Sequence, residues 1–189
     1  MHRFEKDVKQ FKEHAEKNVT PIRRDLLGDD PLGAISKIAG LYRVARCFNR
    51  KYDESVGLAR YQPILDGLRS YGRNGGKDPI EAVLALKEDL KRSYHKEVLS
   101  ASSKFLWYEW GSQIIIYDSQ ALTAIRKRFP SLKPADYYRY CSAWKSLFNE
   151  CSQDVAEECA RLGASNERWF HERVFDWHLW RLGGLEGGV

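Results

Sequence analysis

A lysine and an aspartate stand fourteen residues apart, Lys104 inside the aromatic stretch "SSKFLWYEW" and Asp118 at the head of "DSQALTAIRK". A lysine amine flanked by Phe105 and Trp107 is partly desolvated. Desolvation disfavours the charged form, lowers the pKa and lets the neutral amine attack an electrophilic carbon and form a Schiff base. A carboxylate nearby stabilises positive charge that develops at the reacting centre, or orients the nucleophile. Each residue also has a plainer use. Lys104 beside serines can be an exposed charge, and an aspartate ahead of "SQAL" is an N-cap contributing about 1 kcal/mol.

The elements that carry this pair are helical by pattern. Phe4, Val8, Phe11 and Ala15 recur at helical spacing, which predicts an amphipathic helix over 3–17. "NVTPIRRDLLGDDPLG" reads as an irregular connection because Pro21, Gly28, Pro31 and Gly33 break the period. A second helix is expected over 34–48 and a third over 54–70, interrupted near Pro63. In "GRNGGKDP" the glycines mark a hinge, or a loop able to cradle a phosphate, and Asp78, Pro79 and Glu81 form a capped start for a helix over 79–97. Ser102 or Ser103 is expected to cap the next helix, which stops at Gly111. "QIIIY" fits a short strand or a buried entry to the helix that Asp118 caps and that ends before Pro130. One long or two successive helices follow up to Gly163, and a last helix carries Trp169, Phe170, Val174, Trp177 and Trp180, so it must dock on the rest. The fold class expected is all-α, a single domain over 1–189 with lobes over 1–75 and 76–189.

Helix, turn, lysine early in the next helix, apolar run and aspartate opening a further helix resembles the helix-hairpin-helix DNA glycosylase superfamily, in particular its oxoguanine-excising, lysine-dependent branch. The pieces that carry the resemblance are "LSASSKFLWY" and "IIIYDSQAL", set against a family pattern of the form L-P-G-[VI]-G-x-K-x-A followed by [VI]-x-[VI]-D. It covers about residues 79–129, and the hairpin glycines of the family are Ala101, Ser102 or Ser103 here. The resemblance implies a two-lobed helical fold, Lys104 as nucleophile and Asp118 as the group that stabilises a cationic sugar while a damaged or modified base leaves. It further implies a Schiff base at C1′ that leads to strand cleavage. The target base must be flipped out of double-stranded DNA, which needs stacking walls and a basic channel. Trp107, Tyr108, Trp110 and Trp144 are candidate walls. Ser102, Ser103, Arg126, Lys127, Arg128, Lys133 and Arg139 are candidates to meet the DNA backbone. The bland alternatives are core rings and, for "RKR" at 126–128, cations at a helix C-terminus.

Composition narrows the classes further. The net charge of +5 favours a polyanionic partner without naming it. Cys47, Cys141, Cys151 and Cys159 lack a CxxC spacing, which argues against zinc, iron–sulfur or disulfide scaffolds and for reduced thiols in the cytoplasm. There is no GxxxxGK[ST], HExxH or GxSxG motif, and His171 and His178 read as packing or surface residues. The expectation is no metal or other cofactor, no membrane, and a monomer in preference to an oligomer. The competing class is a non-catalytic helical nucleic-acid-binding or phage-defence interaction protein.

Overall fold

The computed structural model describes residues 3–48, 60–72 and 78–184. The elements are α1 (Glu5–His14), a π-helical turn (Ala15–Val19), α2 (Thr20–Leu27), α3 (Pro31–Leu41), a 3-10 turn (Ala45–Cys47), α4 (Gln62–Tyr71), α5 (Pro79–Tyr94), α6 (Leu99–Trp110), α7 (Ser119–Arg126), α8 (Tyr137–Arg161) and α9 (Arg168–Gly184). No strand occurs among the described residues, so the fold is all-α. Contacts divide the chain into two units, Val19–Ile114 and Met1–Asn18 with Ile115–Val189.

Local chemistry accounts for four of the helix starts. Asp30 accepts a hydrogen bond from the Gly33 amide ahead of α3, Asp78 from Ile80 and Glu81 ahead of α5, Asp118 from Gln120 ahead of α7, and Asp136 from Arg139 ahead of α8. Each carboxylate satisfies an amide that the first turn leaves without a backbone partner. Gly163, with φ 57°, terminates α8 in the left-handed region that glycine enters at no cost.

Two sequence expectations change. Residues 20–27 are helical rather than irregular, because Pro21 falls in the first turn of α2, where its missing N–H is not needed. The π-helical turn before it carries the chain from α1 into α2 without a loop. Next, α6 begins at Leu99, so Ser102 and Ser103 are inside the helix and cap nothing. Their hydroxyls donate back to the carbonyls of Val98 and Ser100, each at 3.1 Å, the usual outlet for serine within a helix. Of the two readings of "QIIIY" the structure shows the second, a buried loop entering α7, its carbonyls at Ile115 and Ile116 taken by the hydroxyls of Tyr137 and Tyr140 at 2.5 and 3.0 Å. The expected helix over 54–70 is seen from Gln62 on, with Arg60 and Tyr61 in a turn ahead of it and residues 54–59 outside the described residues, as is most of the "GRNGG" loop.

In the Val19–Ile114 unit the core is built from Ile35, Ile38, Ile64, Leu68, Val83, Leu86, Leu90 and Phe105, all buried. Of the residues of α6, all but Ser100 and Glu109 are buried, so this helix is central and not amphipathic. In the other unit α9 packs on α1, α7 and α8. Gly183 is required there, since a Cβ at that position would stand 1.8 Å from the Gln120 carbonyl oxygen of α7. Asp7 of α1 is fully buried and joins α9 through Arg181 (Nε–Oδ1 2.8 Å) and His178 (Nδ1–Oδ2 2.8 Å). Burial raises the cost of that carboxylate, but the bonds from Arg181 and His178 outweigh it and hold its pKa below the usual range.

Candidate functional site

Lys104 belongs to the Val19–Ile114 unit and Asp118 to the unit that contains Ile115–Val189, so each is described in its own surroundings. Lys104 lies midway along α6 and is only 4% exposed. Its Nζ donates to Ser100 Oγ at 2.6 Å, one turn earlier on the same helix face. The same ammonium lies over the ring of Tyr42, 5.5 Å from its centroid. The Tyr42 ring meets Tyr108 edge-on at 6.1 Å, and Tyr108 in turn meets Trp107 at 5.1 Å and 90°. Arg23 of α2 rests over Trp107 at 5.9 Å. A cation is thus set among aromatic faces, where ring quadrupoles offset part of the lost hydration.

Sequence spacing alone gives no sign that Tyr42 belongs here, because it closes α3 more than sixty residues from Lys104. Its hydroxyl is buried and has no hydrogen-bond partner among the described residues. Ser100, one turn before the lysine, is the residue whose hydroxyl oxygen accepts the hydrogen bond from its ammonium.

Asp118 is half-buried and acts as the N-cap of α7, with Oδ1 accepting from the Gln120 amide at 2.9 Å. Its backbone N–H reaches the Tyr140 hydroxyl, and its charge is felt by both Tyr140 and Asp176. Asp176 of α9 is buried and takes hydrogen bonds from Trp144 Nε1 at 2.5 Å and from Arg173. Burial raises the Asp176 carboxyl, Arg173 and Trp144 pull it back, and the Asp118 charge adds a small push upward. Burial also drives the Tyr137 and Tyr140 phenols well above their ordinary range, so both are hydrogen-bond donors at any physiological pH. The Asp176–Arg173 pair could have been sought in the sequence as acid and base three apart on one helix, where they are neighbours. What hid it was the surrounding run of tryptophans, which reads as a docking face.

The remaining expected site residues divide by exposure. Trp107, Tyr108, Trp110 and Trp144 are all buried, as are Ser102 and Ser103. Arg126, Lys127, Arg128, Lys133 and Arg139 are all exposed and fall within the short stretch that joins α7 to the first turn of α8. Arg126 Nε is tied to the Leu132 carbonyl at 2.7 Å, and Arg128 has Glu150 at 3.7 Å. Tyr138, half exposed, adds a ring to the same stretch.

Among the described residues no group of three or more His, Cys, Asp and Glu side chains could hold a metal ion. Among them, too, no helix is long and apolar enough to cross a membrane. Burial pushes the thiols of Cys151 and Cys159 up to about 11, so both are unreactive at neutral pH. Compared with models of known families, with curated proteins and with solved structures, the chain matches none of them.

Proposed function

We propose that the protein excises a damaged or modified base from DNA, with the Lys104 amine attacking the sugar C1′ and Asp118 stabilising the cationic sugar as the base leaves. The observation that carries the reading is the burial of Lys104 at 4% exposure. Withdrawing an ammonium from water costs several kcal/mol, so lysines are rarely placed there without a task. A lysine set among apolar and aromatic groups is where amines become nucleophiles. Asp118 supports the same reading, because its backbone and Oδ1 are fixed by Tyr140 and Gln120 and its carboxylate is still half-accessible. The exposed cations over 126–139 suit a DNA backbone, bound with a steep salt dependence from counterion release. An oxidised purine is the base the family resemblance implies.

A second reading, a non-catalytic nucleic-acid-binding or defence component, is favoured by one observation. All four rings named as stacking walls are buried, as core rings are. In that reading Asp118 is a cap and the 126–139 cations do the binding.

One experiment separates the two. Duplex oligonucleotides, each with a single modified base, are incubated with the protein in borohydride. The expected result is a covalent protein–DNA species on at least one of them, absent in Lys104→Gln, with salt-dependent binding retained in that variant. Binding without abasic sites or trapped species across the panel establishes the second reading. Excision without trapping removes Lys104 from the covalent role and leaves water as the nucleophile.

A further inference from the structure

We propose that Ser100 and Tyr42 are positioning residues for Lys104, fixing its side chain and holding the amine as an ammonium while no substrate is bound. This rests on the reading of Lys104 as the nucleophile and specifies how that amine is kept.

Ser100 and Lys104 are one turn apart on α6, and the 2.6 Å Nζ–Oγ distance is that of a charge-assisted hydrogen bond. The oxygen accepts here, which favours the protonated amine. Tyr42 approaches from the end of α3 with its ring toward Nζ, 5.5 Å from the centroid, and a π face attracts a cation and not a neutral amine. The edge of Tyr108 against Tyr42, at 6.1 Å and 77°, keeps that face in place. Burial works in the opposite sense, toward the neutral amine. Arg23 is engaged with the Trp107 ring, and Glu109 on the same helix is directed at Gly72 of the α4 end. Among the described residues the buried Tyr42 hydroxyl has no hydrogen-bond partner.

The arrangement therefore suppresses free amine in the resting protein, and both groups act on the amine without touching the substrate's reacting atoms. Losing either should increase the fraction of neutral Lys104.

The test is reductive methylation with formaldehyde and cyanoborohydride in the absence of DNA, followed residue by residue by peptide mass spectrometry. Exposed Lys17 serves as the internal standard. At pH 7.5, Ser100→Ala and the near-isosteric Ser100→Cys should raise the Lys104 rate about tenfold, the scale of one hydrogen bond to a charged group. Ser100→Thr, which keeps the hydroxyl, should restore the wild-type rate. Tyr42→Leu should raise it several-fold and Tyr42→Phe should not. The ratio of variant to wild-type rate should fall toward one as pH is raised past the ordinary lysine pKa of about 10.4, as both amines become mostly neutral. Unchanged rates in Ser100→Ala and Tyr42→Leu overturn the proposal. So does a ratio that is constant with pH, which reports access instead of protonation. Because no DNA is present, failure to excise any base would remove the glycosylase reading and leave this result standing.

Discussion

Asp118 carries two duties in one side chain, and they can be separated because they need different things from the carboxyl group. As an N-cap it needs only an oxygen that accepts the Gln120 amide, and asparagine supplies one. As a stabiliser of a cationic sugar it needs a negative charge, which asparagine lacks. Asp118→Asn should therefore unfold in urea within about 0.5 kcal/mol of wild type, while Asp118→Ala should lose about 1 kcal/mol, the value of a lost cap. Both should lose most base excision. If Asn and Ala fall equally in stability the cap is not what Asp118 contributes, and if Asn excises at the wild-type rate its charge is not part of the chemistry. The Lys104 side shows the same economy of means, with one hydroxyl and one ring face fixing a cation in the middle of a helix.

At the scale of elements, the short stretch between α7 and α8 carries the exposed cations and is held by unusual backbone. Ala135 has φ 63°, in the left-handed region where a Cβ is crowded, and its amide donates to the Tyr117 hydroxyl at 3.0 Å. That bond and the Asp136 cap one residue on over-determine the conformation, so the strain is held by its surroundings. Ala135→Gly relieves the crowding and gives back part of the gain as unfolded-chain entropy. The expected net effect is a stabilisation of about 0.5–1 kcal/mol, measured as a higher urea midpoint with an unchanged slope. A lower midpoint would mean that Ala135 packs against something a glycine cannot replace. The cations themselves should keep their spacing in this variant, since Arg126 remains tied to Leu132.

For the molecule as a whole, pH acts through groups that the fold keeps from ionising. His14 and His171 are both shifted below the ordinary histidine value of 6.5 by burial, with Arg173 adding to the effect at His14 and a Ser165 backbone bond partly opposing it at His171. Each also has a buried Nε2 without a hydrogen-bond partner among the described residues. With folded-state values below 6.5, the unfolded chain takes up protons first as pH falls, so stability is lost from about pH 6.5 downward. Glu172 and Asp176 work in the other direction, since burial raises both and the folded state binds their protons more readily. Replacing both histidines isolates their share. The unfolding free energy of His14→Asn/His171→Asn should fall less than that of wild type between pH 7.5 and 5. Parallel curves for the two proteins would show that the buried imidazoles are not the source of the acid sensitivity.

The all-α class was open to reading in the sequence because periodicity and capping are local. The starts at Asp78 and Asp118 and the stop at Gly163 each need only a few neighbouring residues to be recognised. The helical continuation through Pro21 was not, since a proline reads as a break unless the turn it falls in is known to be the first of its helix. Lys104 and Asp118 stood out by type and spacing, and the exposure of Arg126, Lys127, Arg128, Lys133 and Arg139 follows the simple rule that charge faces water. Burial was decided elsewhere. Whether a tryptophan is core or a stacking surface depends on what other helices lay over it, and the sequence is silent on that. The same holds for Tyr42 over Lys104 and for Trp144 with Arg173 on Asp176. Those contacts join residues far apart in the chain, or place a common residue type at one distance and angle, and only tertiary packing fixes either.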